Sequence, residues 1–213
     1  ERYHECRSGG AYSLKPEEIG RRSLRSFCLN SLMLLEDTNV NQLCLDQYHQ
    51  ADNMTDRLSA FAALADSQLA ERKGILDDFF KQWEAHPLVI DKWFTLQALS
   101  HRETVFEEVK ALLQHPAFTL QNPNRVRSLL GSFAGGNLAG FHRADGAGYR
   151  LLADNILTLD AMNPQIAARL AGPFSRWKRL EPKRRELMKQ QLERLQGEKL
   201  SRDLYEIVSK SLK

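Results

Sequence analysis

Residues 122–137, NPNRVRSLLGSFAGGN, admit two readings. As a phosphate cradle, the glycines would follow a strand and lead into a helix with Gly-Lys-Ser/Thr. As a punctuated helix, Asn122 caps the start and Pro123 fits the first turn, where its missing N–H costs nothing. Val126, Leu130 and Phe133 then line one face, and Gly135 and Gly136 close the helix in a left-handed turn. No strand signal precedes these glycines and no Gly-Lys-Ser/Thr follows them, so the stretch reads as a helix. At about 100° per residue, Arg127 lies beside the apolar seam, while Arg125 points nearly the other way and is expected in solvent.

The same punctuation recurs along the chain. Asn163-Pro164 opens one helix, Pro173 kinks or ends it, Pro182 opens the next and Gly197 closes that one. Leu24, Phe27, Cys28, Leu32 and Leu35 repeat at three and four residues and predict a helix with that face in the core. Further helices are predicted over 40–48, from a Thr55 cap through Phe61 and Leu64, over 69–83, 89–96, 105–113 and 149–162, and after Ser201. His86-Pro87 and His115-Pro116 stop two of them, with each histidine facing the negative end of a helix dipole. Sustained alternation of β-branched and polar residues is missing.

Eleven helices with short joints predict an all-α fold, a superhelical array of antiparallel helix pairs of the α-solenoid kind. No fixed repeat period is visible and no sharp domain boundary is marked. Residues 131–148 hold six of the twelve glycines and are predicted to be one long irregular segment, either functional or folded against a neighbour.

Composition narrows the function classes. Of 213 residues, 42% are hydrophobic and 27% charged, as in an ordinary globular protein. No apolar run approaches the ~18 residues that span a bilayer, so no membrane is expected. The opening ERYHECRSGG lacks both an initiator Met and an apolar leader, which suggests a piece of a longer chain or a processed product. Three cysteines, Cys6, Cys28 and Cys44, are no disulfide framework and suit a reducing cytoplasm. Cys28 and Cys44 read as small core residues.

Net charge is +3, yet residues 1–168 carry 17 basic and 21 acidic side chains, while 169–199 carry 10 basic and 4 acidic. That late surplus reads as a solvated face with i,i+4 pairs such as Glu181–Arg185. It also permits an alternative, an independent helical-repeat module for an acidic protein or nucleic acid. Only Trp177 offers a stacking surface there, so nucleic acid is not expected.

Catalytic chemistry is not visible. No H-E-x-x-H is formed, although His4-Glu5 begins one. His101-Arg102-Glu103 fits the H-x-E of zinc deaminases without the cysteines that should follow. No histidine pair at i,i+4 makes a metal face, and no nucleophile adjoins an evident base.

Five motifs stand in order from residue 51 onwards: NMTD (53–56), DKWF (91–94), NPNRVRSLLGSF (122–133), FHRADGAGY (141–149) and NPQIAARL (163–170). Together they resemble the C-terminal helical domain of the bacterial aminopeptidase N family, the alanyl aminopeptidases of gluzincin type. SLKPEEIGRRSLR (13–25) fits more loosely, and residues 1–12 match weakly. The resemblance implies that residues 1–213 form a single helical C-terminal domain, an ARM/HEAT-like bowl that covers a catalytic domain supplied upstream in the same polypeptide. It implies a parent enzyme that removes N-terminal residues from peptides with a zinc ion held upstream. This chain would bind no zinc, have no catalytic residue and be inactive alone. It would cap the active-site chamber and help select and position the peptide. The arginines of NPNRxRS and NPQxAxRL, here Arg127 and Arg169, are implied to line that cavity. In the residues themselves, Trp93 and Phe94 read as core, and Asn53 and Thr55 as helix caps. Gly146 and Gly148 permit a turn anchored by Tyr149, and His142 is within possible reach of the cavity.

Overall fold

The structure, a computed structural model, describes residues 1–7 and 10–213. Among the described residues there are helices, turns and bends, and no strand. They form two compact units, Glu1–Trp83 and Glu84–Lys213.

The first unit contains α1 (Arg2–Glu5), α2 (Pro16–Met33), α3 (Thr38–Gln50), α4 (Met54–Asp66) and α5 (Arg72–Trp83). Asp37 caps α3 by accepting from the amides of Asn39 and Val40, and Asn53 caps α4 by accepting from that of Asp56. Thr55, expected as a cap, instead sits in the first turn, because Asn53 already satisfies the helix end. Phe61 and Phe79 stack at 4.3 Å in the core of this unit. A polar relay ties four helices together. Tyr3 donates to Gln47 Oε1 at 2.7 Å, Gln47 Nε2 donates to the Asp56 carbonyl at 2.9 Å, and Arg25 pairs with Asp56 at 3.2 Å.

The predicted core face of α2 is overturned. Leu24, Phe27 and Leu35 are exposed, Cys28 and Leu32 are half-buried, and the fully buried residue is Leu29. Helices α3 and α4 cover the other side of α2, so periodicity identified an apolar stripe but not its partner.

The second unit contains α6 (Pro87–Ala98), α7 (Val105–Leu113), α8 (Pro123–Val126), a π-helical turn (Arg127–Gly131), α9 (Ser132–Gly136), α10 (Leu138–Phe141), α11 (Ala147–Asp160), α12 (Pro164–Leu170), a 3₁₀ segment (Gly172–Arg179), α13 (Pro182–Gln196) and α14 (Arg202–Leu212). The cap-plus-proline starts form as read: Asn122 accepts from the amides of Asn124 and Arg125, and Asn163 from that of Ile166. Pro173 marks the change from α-helix to 3₁₀ helix, which releases the i→i−4 bonding its ring cannot support. Glu181 caps α13 and pairs with Arg184 rather than Arg185, whose guanidinium turns back to the Leu180 carbonyl.

The two histidines before proline stand in different places, His115 just after the end of α7. His86 stands at the start of α6, and His115 Nδ1 accepts from the Ala117 amide at 3.1 Å. Proline cannot donate, so the next free amide takes the ring nitrogen.

Residues 131–148 are not irregular. They fold into the end of the π turn, two short helices and a tight corner. Gly135 and Gly136 stay helical, and the left-handed glycine is Gly146, with φ of 67°. Asn137 holds the segment down. It is buried, donates to the Ala98 and Ser100 carbonyls at 2.9 and 2.7 Å, and accepts from the Gly140 amide at 2.8 Å. The expectation that the segment folds against a neighbour is met.

Candidate functional site

Arg169 leaves the last turn of α12 and is exposed. It lines a groove of about 480 Å³ with Lys178, Lys210 and Lys213, over a floor that includes Ala168, Gly172 and Ile207. Lys178 comes from the 3₁₀ segment and Lys210 from α14, so three elements each bring a cation to one apolar trough. Lys178 lies over the Trp177 ring at 5.5 Å, and Lys210 is paired with Glu206 at 2.6 Å. The groove offers positive charge above a greasy surface, which suits an extended peptide backbone or a terminal carboxylate.

Sequence reasoning missed Lys178, Lys210 and Lys213. Lys178 belongs to the basic surplus, but its position beside Arg169 depends on the 3₁₀ segment folding back on α12 and α14. Trp177 is 8% exposed and donates through Nε1 to the Ser211 carbonyl at 2.7 Å, so it is core and no stacking platform.

Arg127 is exposed at the first residue of the π turn. Its Nε donates to the Pro123 carbonyl at 3.2 Å and its Nη2 to Asn124 Oδ1 at 2.7 Å, so the preceding turn orients the side chain. The two arginines stand on neighbouring elements, because α12 packs against the π turn.

Arg125, expected in solvent, is buried at 7% exposure. Its Nε donates to the Ala117 carbonyl and Nη1 to the Pro87 carbonyl, each at 3.0 Å, and Nη1 also pairs with Asp91. The guanidinium lies over the Phe94 ring at 5.4 Å. This helix is surrounded: Arg125, Val126, Ser128, Leu129, Leu130 and Phe133 are all buried, so a single-seam picture does not describe it. Asp91 of the DKWF motif is thus a structural counterion, while Trp93 and Phe94 are core at 4% and 0% exposure, as read.

The FHRADGAGY motif forms the corner before α11. Tyr149 is fully buried, and its hydroxyl lies 2.8 Å from His142 Nδ1. His142 is therefore half-buried in a structural contact rather than aimed at a groove. Burial, and then the Arg184 charge, push its pKa below the ordinary imidazole value, and burial pushes the Tyr149 phenol up to about 12. The unfolded chain protonates His142 at a higher pH than the folded one. Its contribution to stability is therefore full above about 6.5 and is lost as pH falls through the depressed folded value. Urea unfolding from pH 8 to 5 is expected to show wild type losing more stability than His142→Asn. Parallel pH profiles would exclude His142 as a source of the acid sensitivity.

Three free cysteines and a scatter of acidic residues give no metal centre: among the described residues no three His, Cys, Asp or Glu side chains converge to hold an ion. Cys44 is buried and donates to the Ala60 carbonyl at 3.6 Å, and burial raises its thiol pKa to about 12, which makes it an inert core residue as read. Cys28 is only half-buried.

The packed helices, with no strand among the described residues, define a helical-repeat fold. The chain belongs to the family described as a domain of unknown function (DUF3458_C) of ARM repeats, whose model matches residues 1–213. It is 46% identical over 202 residues to aminopeptidase N of Escherichia coli (strain K12), covering 94% of this chain and 23% of that protein. Its identity to aminopeptidase N of Haemophilus influenzae is 43% over 203 residues, again covering 94% of this chain and 23% of that protein. Among solved structures, Legionella pneumophila aminopeptidase A in complex with aspartic acid superposes with a TM-score of 0.91 at 32% identity, covering 99% of this chain and 26% of that one. The chain spans about a quarter of the length of these relatives, and the match is to the C-terminal region of aminopeptidase N.

Proposed function

We propose that this chain is the non-catalytic C-terminal domain of a zinc-dependent, cytoplasmic aminopeptidase, where it caps the active-site chamber and helps select and position the peptide. The observation that carries this reading is the groove at Arg169, a rim of four cations over an apolar floor. A peptide backbone presents carbonyls and one terminal carboxylate, and a guanidinium can grip either through paired donors. Arg127, pre-oriented by Pro123 and Asn124, is the second contact. The zinc would be held elsewhere in the longer polypeptide, as the resemblance of the sequence motifs implies. Bound there, it would supply water activation and polarisation of the scissile carbonyl. The cytoplasmic assignment is supported by three free cysteines.

Kinetics of the full-length enzyme test the assignment. A charge-assisted contact in a partly solvated groove contributes about 1.4 kcal/mol, roughly tenfold in affinity. Arg169→Ala is expected to lower kcat/KM for peptides of five or more residues about tenfold through KM, with an alanyl-anilide unaffected. Arg127→Ala is expected to do the same more weakly. If both variants handle long peptides as wild type does, neither arginine contacts substrate.

A further inference from the structure

Helix α2 has two faces of different kinds. One is closed inside the first unit, where Leu29 is fully buried, Arg22 is 6% exposed, and α3 and α4 provide the contacts. The other is open. Every exposed position from 23 to 35 is uncharged: Ser23, Leu24, Phe27, Asn30, Ser31, Leu34 and Leu35. The one charged residue in this stretch, Arg25, turns inward to Asp56 and the Tyr3 hydroxyl.

The spacing on the open face is regular. Gly20, Leu24, Phe27, Ser31 and Leu34 follow one another at four, three, four and three residues, the seam on which a second helix packs. Large Leu24, Phe27 and Leu34 stand between or beside small Gly20 and Ser31, which leaves room for a facing ridge. Ser31 Oγ donates to the Phe27 carbonyl at 2.9 Å, so its hydroxyl needs no water if the face is covered. Leu34 is 83% exposed, Phe27 69% and Leu35 68%, among the most exposed large apolar side chains of the molecule. An ordinary surface helix places charges at such positions. A charge-free apolar stripe over more than three turns marks an interaction site.

We propose that this seam is the docking surface for a helical segment from the rest of the parent polypeptide. The proposal rests on reading the chain as one domain of a longer aminopeptidase. About three-quarters of the length of the curated relatives lies outside the matched region, which leaves ample chain to supply the partner. A partner built into the same polypeptide also explains why the face carries none of the charges that keep a free surface soluble.

The experiment compares maleimide labelling of Ser31→Cys in the 213-residue chain and in the full-length polypeptide, read peptide by peptide so that Cys28 is scored separately. Labelling is expected to be fast in the chain alone and at least ~10-fold slower in the full-length protein, where the thiol is covered. Equal rates would overturn the proposal. Slow labelling of the chain alone that speeds up on dilution would identify a second copy as the occupant and would also overturn it. Leu34→Lys provides a second reading. It should leave the melting of the chain alone unchanged and lower that of the full-length protein, whereas unchanged melting of both would count against docking. Peptidase activity is assayed on the same full-length sample. A covered seam without activity removes the functional reading and leaves this one standing, and the converse result does the reverse.

Discussion

Arg125→Ala is expected to destabilise the second unit by about 3–5 kcal/mol, the range for breaking one partner of a buried ion pair. Three acceptors lose their donor at once: the Asp91 carboxylate and the Ala117 and Pro87 carbonyls. Asp91, 14% exposed in the native pair, would lose its counterion. Arg125→Lys should recover only part of the loss, because a single ammonium cannot reproduce a fork that bonds in several directions. Arg125→Met combined with Asp91→Leu separates two explanations. If the penalty in the single variant comes from the orphaned carboxylate, the double variant regains most of the stability, since well-packed apolar pairs often match buried ion pairs. Urea unfolding monitored by Trp93 and Trp177 fluorescence reads all three. A change for Arg125→Ala within about 0.5 kcal/mol, the scale of an ordinary surface substitution, would show that the ion pair is not formed in solution.

The same residue shows what a sequence can and cannot disclose. Helix starts were legible because their cause is local: Asn122-Pro123 and Asn163-Pro164 satisfy the amides of their own first turns and need no distant partner. The all-α class was legible for the same reason, since period and punctuation belong to each helix separately. Burial is not local. Val126, Leu130 and Phe133 were correctly placed inside, but the helix is enclosed on more sides than one, and the packing of α6 puts Asp91 and Pro87 where Arg125 can reach them. Leu24, Phe27 and Leu35 are the mirror case. Their periodicity is genuine, yet α3 and α4 pack on the other side of α2 and leave them exposed. The groove shows a third limit. Arg169 could be named from a motif, whereas Lys178, Lys210 and Lys213 are neighbours only through the fold.

Gly148→Ala is expected to cost more than about 3 kcal/mol, beyond the usual 1–3 kcal/mol of an overpacked core, because the obstacle is backbone. A Cβ at this position would stand 2.3 Å from the Phe141 carbonyl oxygen and 3.0 Å from its carbonyl carbon and Cα. That carbonyl cannot retreat alone. Phe141 is fully buried, edge-on to Phe133 at 5.9 Å and to Tyr149 at 5.2 Å. Any shift would disturb the aromatic cluster and the Tyr149–His142 contact together. Gly135→Ala is the matched comparison from the same glycine-rich stretch. Gly135 is helical and exposed, with nothing within 4 Å of the added carbon, so the substitution should be neutral or stabilising by up to about 1 kcal/mol. Propensity alone would give both substitutions the same sign, because both glycines lie in α-helices. Opposite signs in thermal unfolding would locate the effect in the close approach of α11 to the end of α10. A Gly148→Ala protein that melts with wild type would mean that the two segments are farther apart than the structure places them.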